Sequence, residues 1–495
     1  MNTADYLLEN GKPADLVLIG DKFRYTYHDL HQACGRLYGE LATAGVGTGD
    51  RVAILGGNSL FWAAAYLATL KRGAVAVPFA VTMTPEDAAG LQNFVRNKAM
   101  FVERRMHAKF AAALPADLTL IFDDCLEEPG PSEWPPVETD FDLNQNAALM
   151  FTSGTTARPR AVQVTHRNIQ ANTNSIIEYL ELTSADRIMA VLPFYYCFGT
   201  SLLHTHLRVG GSLAVANSFV YPELVLDLME SAECTGFAGV PSTYQTLLRN
   251  SSFPRRELKS LRKLQQAGGK LQSVLIEELV KTVPQARVFV MYGQTEATAR
   301  LSYLPPEMLA TKLGSIGKGI PGVTLRVLDE DGNPVKPGDV GEIYASGDNI
   351  SPGYLDEPEA NAGKFINGVL KTGDLATVDE DGYIYVVDRK ADFIKSYGFR
   401  VSSQQVESVI LELKDVVAAA VIGEPDLVRG EAIKAFVVLH AGSTLTAEEI
   451  IAHCGRRLAH HMVPRDVVFI DSLPLNAHGK VVKTELRKLS GSQAQ

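Results

Sequence analysis

The sequence predicts an α/β protein with a smaller α+β domain at its C-terminal end. Three observations carry this. A chain of 495 residues exceeds what one ordinary core accommodates, so two or more domains are expected. Apolar β-rich runs alternate with helical patterns as far as Tyr292, the rhythm of a parallel sheet covered by helices. The texture then changes after about Gly314 and again beyond Asp388.

Taken in order, RVAILGG reads as a strand, FWAAAYLATLKRG as a helix and AVAVPF as a second strand. With connections this short they form a parallel βαβ unit. The rhythm recurs at RIMAVLPF, GSLAVAN and ARVFVMYG. PGPSEWPP, residues 129–136, is a Pro-rich surface connection inside the large domain. TLRVLDEDGNPVKPGDVGEIYASG gives short strands with turns at DEDGNP and KPGD, and VDEDGYIYVVDRK a hairpin turning at Asp-Gly. Beyond Asp388, VESVILEL and AEEIIAHCGRRLAHHM read as helices, VVAAAVIG and IKAFVVLH as strands. The boundary falls near residues 388–390, dividing 1–388 from 389–495.

Composition narrows the function classes. Hydrophobic content of 46% with 21% charged residues is that of a soluble globular protein. A net charge of −10 argues against a nucleic-acid binder, which usually shows a basic face. Five scattered cysteines, with no CxxC pair, suit a reducing compartment better than a disulfide framework. The N-terminus lacks the basic and apolar blocks of a signal peptide. The ten-residue run FWAAAYLATL is too short for a bilayer. A cytoplasmic protein without a membrane span is expected.

Several stretches carry residue types suited to nucleotide chemistry. MFTSGTTARPR follows the strand-like AALMFTS and sets small hydroxylated residues around Gly154. Such a loop approaches a polyphosphate closely and offers backbone N–H groups, with Thr152, Ser153, Thr155 and Thr156 as further donors and Arg158 and Arg160 as charge. It lacks the GK[ST] of a Walker A loop and also reads as a polar turn before a helix near His166. In MYGQTEAT, Tyr292 is suited to stack on a base, Thr295 to donate to a phosphate and Glu296 to ligate Mg²⁺. A strand end with a chance acid competes on equal terms. KTGDLA sets Asp374 after a tight turn, where a carboxylate accepts from ribose hydroxyls. DRKADFIKSYGFRVSSQQVE brings Arg389, Lys395 and Gly398 to the boundary, and LPLNAHGKVVKTEL places Lys480 after a Gly-containing turn. Taken singly, these also read as a charged linker and a solvated lysine.

Together, TSGTT, YGQTE, TGD, DRK and the C-terminal GK resemble the adenylate-forming superfamily: acyl-CoA synthetases and related AMP-dependent ligases, luciferases and peptide-synthetase adenylation domains. The resemblance runs from GDKFRYTYHDL and LKRGAVAVPF through GEIYASGDNISPGY to LPLNAHGK. It implies a large N-terminal domain of sandwiched sheets and a small mobile lid. It also implies two half-reactions, in which a carboxylate attacks the α-phosphate of ATP and a thiol then attacks the acyl adenylate. The thiol comes from CoA or from the phosphopantetheine arm of a carrier protein. By motif match, the residue 152–160 loop, Gly154 included, would wrap the β- and γ-phosphates. Lys480 would touch the acid and the α-phosphate, Thr295 the α-phosphate, Glu296 the Mg²⁺, Asp374 the ribose, Tyr292 the adenine and Arg389 the nucleotide near the hinge. Lid rotation would bring Lys395 and Gly398 to the site and open a thiol channel.

The sequence departs from the family pattern in four places. Ala157 and Ala161 replace Gly, and Arg160 replaces Lys, keeping charge with a different fork. The hinge position is Ala391 rather than Asp or Lys. Tyr195 and Tyr196 stand where many relatives carry His, as an aromatic gate or as core tyrosines. Gly199 supplies no anion for an ammonium group, which disfavours α-amino acids. Ala238, Gly239, Gly268 and Gly269 are small and suggest a pocket with room for a fatty or aryl acid. Transfer to CoA is favoured. The alternatives are an enzyme loading a carrier protein and, less favoured, an inactive nucleotide-binding paralogue.

Overall fold

The structure is a computed structural model that describes residues 1–127, 133–152, 159–389, 393–426, 428–476 and 479–492. Strands Arg51–Leu55 and Val75–Phe79 pair in parallel, joined by the helix Leu60–Lys71. Ser59 starts that helix by accepting from the Trp62 N–H. Its surface is apolar nearly all round as far as Thr69 and Lys71, and every residue after Leu60 is buried, as expected of a helix enclosed on all sides. These strands sit in a seven-stranded sheet. A nine-stranded sheet holds the parallel strands Arg187–Ala190, Ser212–Val215, Gly236–Gly239, Lys263–Gln266 and Arg287–Tyr292. One core joins strand residues of both sheets, such as Ile54 and Leu213, to Trp62, Tyr66 and Phe194.

A third, antiparallel sheet contains Thr324–Leu328, Gly341–Ser346, Val369–Val378 and Ile384–Arg389. The chain then enters a separate five-stranded sheet at Ile394–Ser396, with its own core around Val406, Val421 and Ile450. The large multi-sheet α/β domain and the smaller α+β domain are thus both present.

Local readings needed correction in three places. AVQVT forms a strand, Ala161–Thr165, antiparallel to Asn146–Phe151. The residue 152–160 loop therefore joins two strands of a hairpin rather than a strand and a helix. Asp374 lies inside the long strand Val369–Val378, not after a tight turn. The Gly373 φ of 81° and a register shift against Gly341–Ser346 mark a bulge there. The helix expected over AEEIIAHCGRRLAHHM ends at Arg457, because Leu458 is extended and a single 3₁₀ turn, His460–Met462, follows.

The N-terminal helix Thr3–Leu8 is wholly buried. Asp5 pairs with Lys71 at 2.7 Å, their side chains 2% and 3% exposed. Lys71 also donates to the Pro136 carbonyl, and the Trp134 indole N–H donates to Asp5.

Burial holds three histidines neutral in the core. His166 and His204 are pushed down to about 3 and His206 to about 4. Unfolded, each would titrate near 6.5. Below that pH the unfolded chain takes up protons that the native state refuses, so stability falls on acidification toward pH 4. The slope is up to about 1.4 kcal/mol per pH unit for each histidine. The urea midpoint should drop between pH 7.5 and 5. His166, whose ring nitrogens have no partner, should flatten that slope when replaced by Phe. A midpoint independent of pH over this range would sink the assignment.

Candidate active site

Strand Arg287–Tyr292 delivers Tyr292 to the mouth of a cleft between the two domains. A Cβ on Gly293 would lie 2.0 Å from the Ala299 carbonyl oxygen, so only glycine lets the chain fold back over itself here. The intervening 3₁₀ turn, Thr295–Ala297, is buried. At Thr298 φ is 66° and ψ −58°, and the Ala299 N–H donates to the Ala297 carbonyl at 2.7 Å. This is a γ-turn of the strained sort that clusters at functional sites.

Tyr292 donates to Asp374 Oδ2 at 2.5 Å, so the ring and the carboxylate stand side by side. Thr295 Oγ1 lies 3.5 Å from Cys197 Sγ, at the first turn of helix Cys197–Val209. Glu296 accepts from the Tyr354 hydroxyl at 2.6 Å. Burial, and then the Glu296 charge, push Tyr354 up, which keeps it a donor. Arg160 covers the Tyr354 ring at 5.0 Å and pairs with Glu357 at 3.1 Å. Tyr354 was not among the sequence candidates. Its one signal was the GY that ends GEIYASGDNISPGY.

The small domain closes the cleft with the turn carrying Lys480. Asn476 organises it, its side chain accepting from Lys480 N and its backbone carbonyl from Gly479 N. The Gly479 carbonyl accepts from Ser242 Oγ at 2.8 Å, and a Cβ on Gly479 would come within 2.8 Å of Val240. The turn therefore seats closely on the large domain. Lys480 is near enough for its charge to act on the Cys197 thiol, although burial dominates and pushes that thiol up.

Lys480, Tyr292 and Asp374 thus line one cleft, with Thr295 and Glu296 in the 3₁₀ turn that follows Tyr292. Lys395 and Gly398 do not. They lie exposed on the hairpin formed by Ile394–Ser396 and Phe399–Val401. The Tyr397–Gly398 turn has positive φ at both residues, as a two-residue hairpin turn demands. Ser153, Gly154, Thr155, Thr156, Ala157, Arg158 and Ala391 lie outside the described residues, as does the side chain of Arg389. Thr152 N donates to the Arg160 carbonyl and closes the base of the residue 152–160 loop.

The cleft measures about 460 Å³, and its lining includes Gly268, Gly269, Met291, Tyr292, Asp374 and Lys480. That is a suitable size for a nucleotide-bearing site. The other small and aromatic residues pack as follows. A Cβ on Gly199 would meet the Pro193 carbonyl oxygen at 2.0 Å, so this glycine serves backbone packing. Gly239 packs on Thr243 and Phe237, and Ala238 belongs to the core. The space beside Gly268 is bounded by the Tyr196 hydroxyl, 3.2 Å from where a Cβ would stand. Tyr195 is buried, with burial pushing it up and a hydrogen bond to Thr82 opposing.

For Mg²⁺ the donor set is minimal. One Glu296 oxygen holds Tyr354, and no described side chain donates to the other. No group of three or more His, Cys, Asp or Glu could hold a metal among the described residues. A single carboxylate fits a Mg²⁺ ion held chiefly by phosphates and water.

Residues 9–355 match the family model for AMP-binding enzymes, and residues 405–480 the model for their C-terminal domain. The chain is 34% identical over 472 residues to a feruloyl-CoA synthase of Amycolatopsis sp, covering 94% of each. ATP-bound MatB from Rhodopseudomonas palustris superposes with a TM-score of 0.89 at 28% identity, covering 99% of each chain. O-succinylbenzoate coenzyme A synthetase from Bacillus subtilis, in complex with ATP and magnesium, gives 0.86 at 29% identity, covering 98% of this chain and 99% of that one.

Proposed function

The chain belongs to the AMP-binding enzyme family, in its acyl-CoA synthetase branch, and from that premise we propose that it joins a carboxylic acid to the thiol of CoA by way of an acyl adenylate. An adenylate-forming acid–thiol ligase is the activity its family supports; the acid and the acceptor are our reading. The observation that carries it is the seating of the Lys480 turn on Ser242, with Lys480, Tyr292 and Asp374 lining one cleft.

In the first step a carboxylate oxygen bonds to the α-phosphorus of ATP and pyrophosphate leaves. Such transfer needs positioning and neutralisation more than covalent help. Lys480 offsets charge on the α-phosphate and the incoming acid, and Thr295 donates to the same phosphate. Asp374 accepts from the ribose and Tyr292 backs the adenine. Glu296, oriented by Tyr354, would hold Mg²⁺, which when bound would neutralise the phosphate charge. Arg160, already paired with Glu357, orients Tyr354 from behind as well as adding charge to the phosphate loop.

The second step needs a thiol path. Rotation of the small domain would exchange the Lys480 turn for the Lys395–Gly398 hairpin. Tyr196, Cys197 and Phe198 crowd the first turn beside Thr295, which favours an aryl or short acid over a long fatty chain.

The test is pyrophosphate release with ATP and Mg²⁺ over fatty, aryl and amino acids, with and without CoA, with thioester read by mass. CoA-dependent turnover yielding an acyl-CoA is expected. Adenylate without any CoA product would move the acceptor to a carrier protein, and silence across all acids would sink the ligase reading.

A further inference from the structure

Two side chains of the large domain hold the small domain where the Lys480 turn meets the cleft. Ser242, half-buried near the start of helix Pro241–Arg249, donates from Oγ to the Gly479 carbonyl at 2.8 Å. Lys480 is the next residue, so this hydroxyl fixes the backbone from which the ammonium springs. The fit is close from the other side as well. Gly479 has a φ of 73°, and a Cβ there would lie 2.8 Å from Val240 and 3.2 Å from Ser242 Oγ.

A second point of attachment adjoins the first. The loop carrying Gly268, Gly269 and Lys270 packs on the start of the same helix, where a Cβ on Gly269 would lie 3.2 Å from Pro241. Lys270 lines the cleft and donates to the Val386 carbonyl at 3.3 Å, on the strand Ile384–Arg389 that ends at the domain boundary. Protein around the ammonium lowers its pKa by desolvation, and the charges of Asp388 and Glu407 oppose that. Both carboxylates stand where the small domain is attached. Asp388 accepts from Ser402 Oγ at 3.0 Å and from Ser403 N at 3.2 Å, and Glu407 lies on the helix Ser403–Ile410. Beside them Gln272 donates to the Gln404 carbonyl at 3.4 Å, and Val274 packs against the small domain's core.

We infer that Ser242 and Lys270 are positioning residues that act through the Lys480 turn, holding the small domain in the orientation that serves adenylate formation rather than the thiol step. This rests on the ligase reading above, in which the small domain turns between the two steps. In the first step Lys480 stands at the α-phosphate while the carboxylate oxygen displaces pyrophosphate. In the second the thiol sulfur bonds to the acyl carbon, AMP leaves and the thiol proton passes to solvent, with the Lys480 turn withdrawn. An enzyme that visits both orientations in every turnover keeps them close in free energy, so a few-fold change in their ratio is felt in the rates. One hydrogen bond or one charge at the seam is of that size. Loosening the seat therefore slows the first step and spares or speeds the second.

The experiment measures the two steps apart. Exchange of labelled pyrophosphate into ATP, with the best acid of the panel, reads the first. Acyl-CoA formed from CoA and the matching acyl adenylate, supplied in place of ATP, reads the second. Ser242→Ala and Lys270→Met should each lower the first rate by about 3–10-fold with little change in the KM for ATP, and leave the second rate level or raised. Ser242→Thr keeps the hydroxyl and should restore the native balance, whereas Gly479→Ala drives the turn off Val240 and should shift it as Ser242→Ala does. The orientation is read without turnover from the distance between spin labels at Leu224→Cys and Leu489→Cys, exposed on a helix of each domain. Cys125→Ser clears the background, since the other four cysteines are buried. With ATP and Mg²⁺ the native protein should show one distance and the two seat variants a second. Equal effects on the two steps, whether both fall or neither moves, overturn the inference and leave the ligase reading standing. No turnover of any acid, but a second distance confined to the variants, overturns the ligase reading and keeps the seat. No turnover and one distance throughout overturns both.

Discussion

Replacing Lys480 by Ala should lower pyrophosphate release by about 10²–10³-fold while ATP affinity and the melting temperature stay close to native. The size follows from removing a preorganised donor from the place where charge grows in the transition state. The selectivity follows from how the turn is built. Its contacts with the large domain run through the Gly479 carbonyl and Ser242, and its internal bonds through Asn476. None of these needs the lysine side chain beyond its backbone. On the proposed reading ATP would keep Tyr292 and Asp374, which belong to the large domain. Rates over saturating acid, with nucleotide binding measured by calorimetry, make the comparison. A variant within threefold of native rate would remove Lys480 from the chemistry, and a variant that no longer binds ATP would recast it as an anchor.

The second large effect concerns stability. Asp5→Ala leaves the Lys71 ammonium buried with one carbonyl and the face of Trp134, 5.6 Å from the ring centre. Removing one partner of a buried pair typically costs about 3–5 kcal/mol, whereas replacing both with apolar groups is often near neutral. Asp5→Leu combined with Lys71→Met should therefore recover most of what Asp5→Ala loses. The urea midpoints of the three proteins decide this. Equal losses in the single and double variants would mean that the pair stabilises through its attraction and not through mutual compensation of burial.

The sequence made the periodic parts of this molecule legible and left the compensated parts hidden. Strands such as Arg287–Tyr292 and the largely apolar helix Leu60–Lys71 announce themselves because burial acts on most residues in them. Asp374 was recognised as a residue and misread as a place, since a bulge at Gly373 looks like a turn in one dimension. The Tyr354–Glu296 bond joins residues 58 apart, and Ser242 looks like any serine at a helix start until the Gly479 carbonyl opposite it is seen. Gly239 reads as space because a missing side chain does not say whether backbone or ligand takes its room. Which hairpin of the small domain faces the cleft depends on how two folded bodies meet, and local patterning carries no record of it.

The helix Leu60–Lys71 also sets the timetable of synthesis. Trp62 packs on Phe194 at 5.4 Å, and the Tyr66 hydroxyl bonds His204 at 2.9 Å. Those partners leave the ribosome roughly 140 residues later, about 7–28 s at ordinary elongation rates. For that interval a segment that is apolar over its first nine residues is exposed to whatever else is in the cell. Nascent chains of this protein should therefore engage a holdase chaperone until the helix Cys197–Val209 has emerged, and let go soon after.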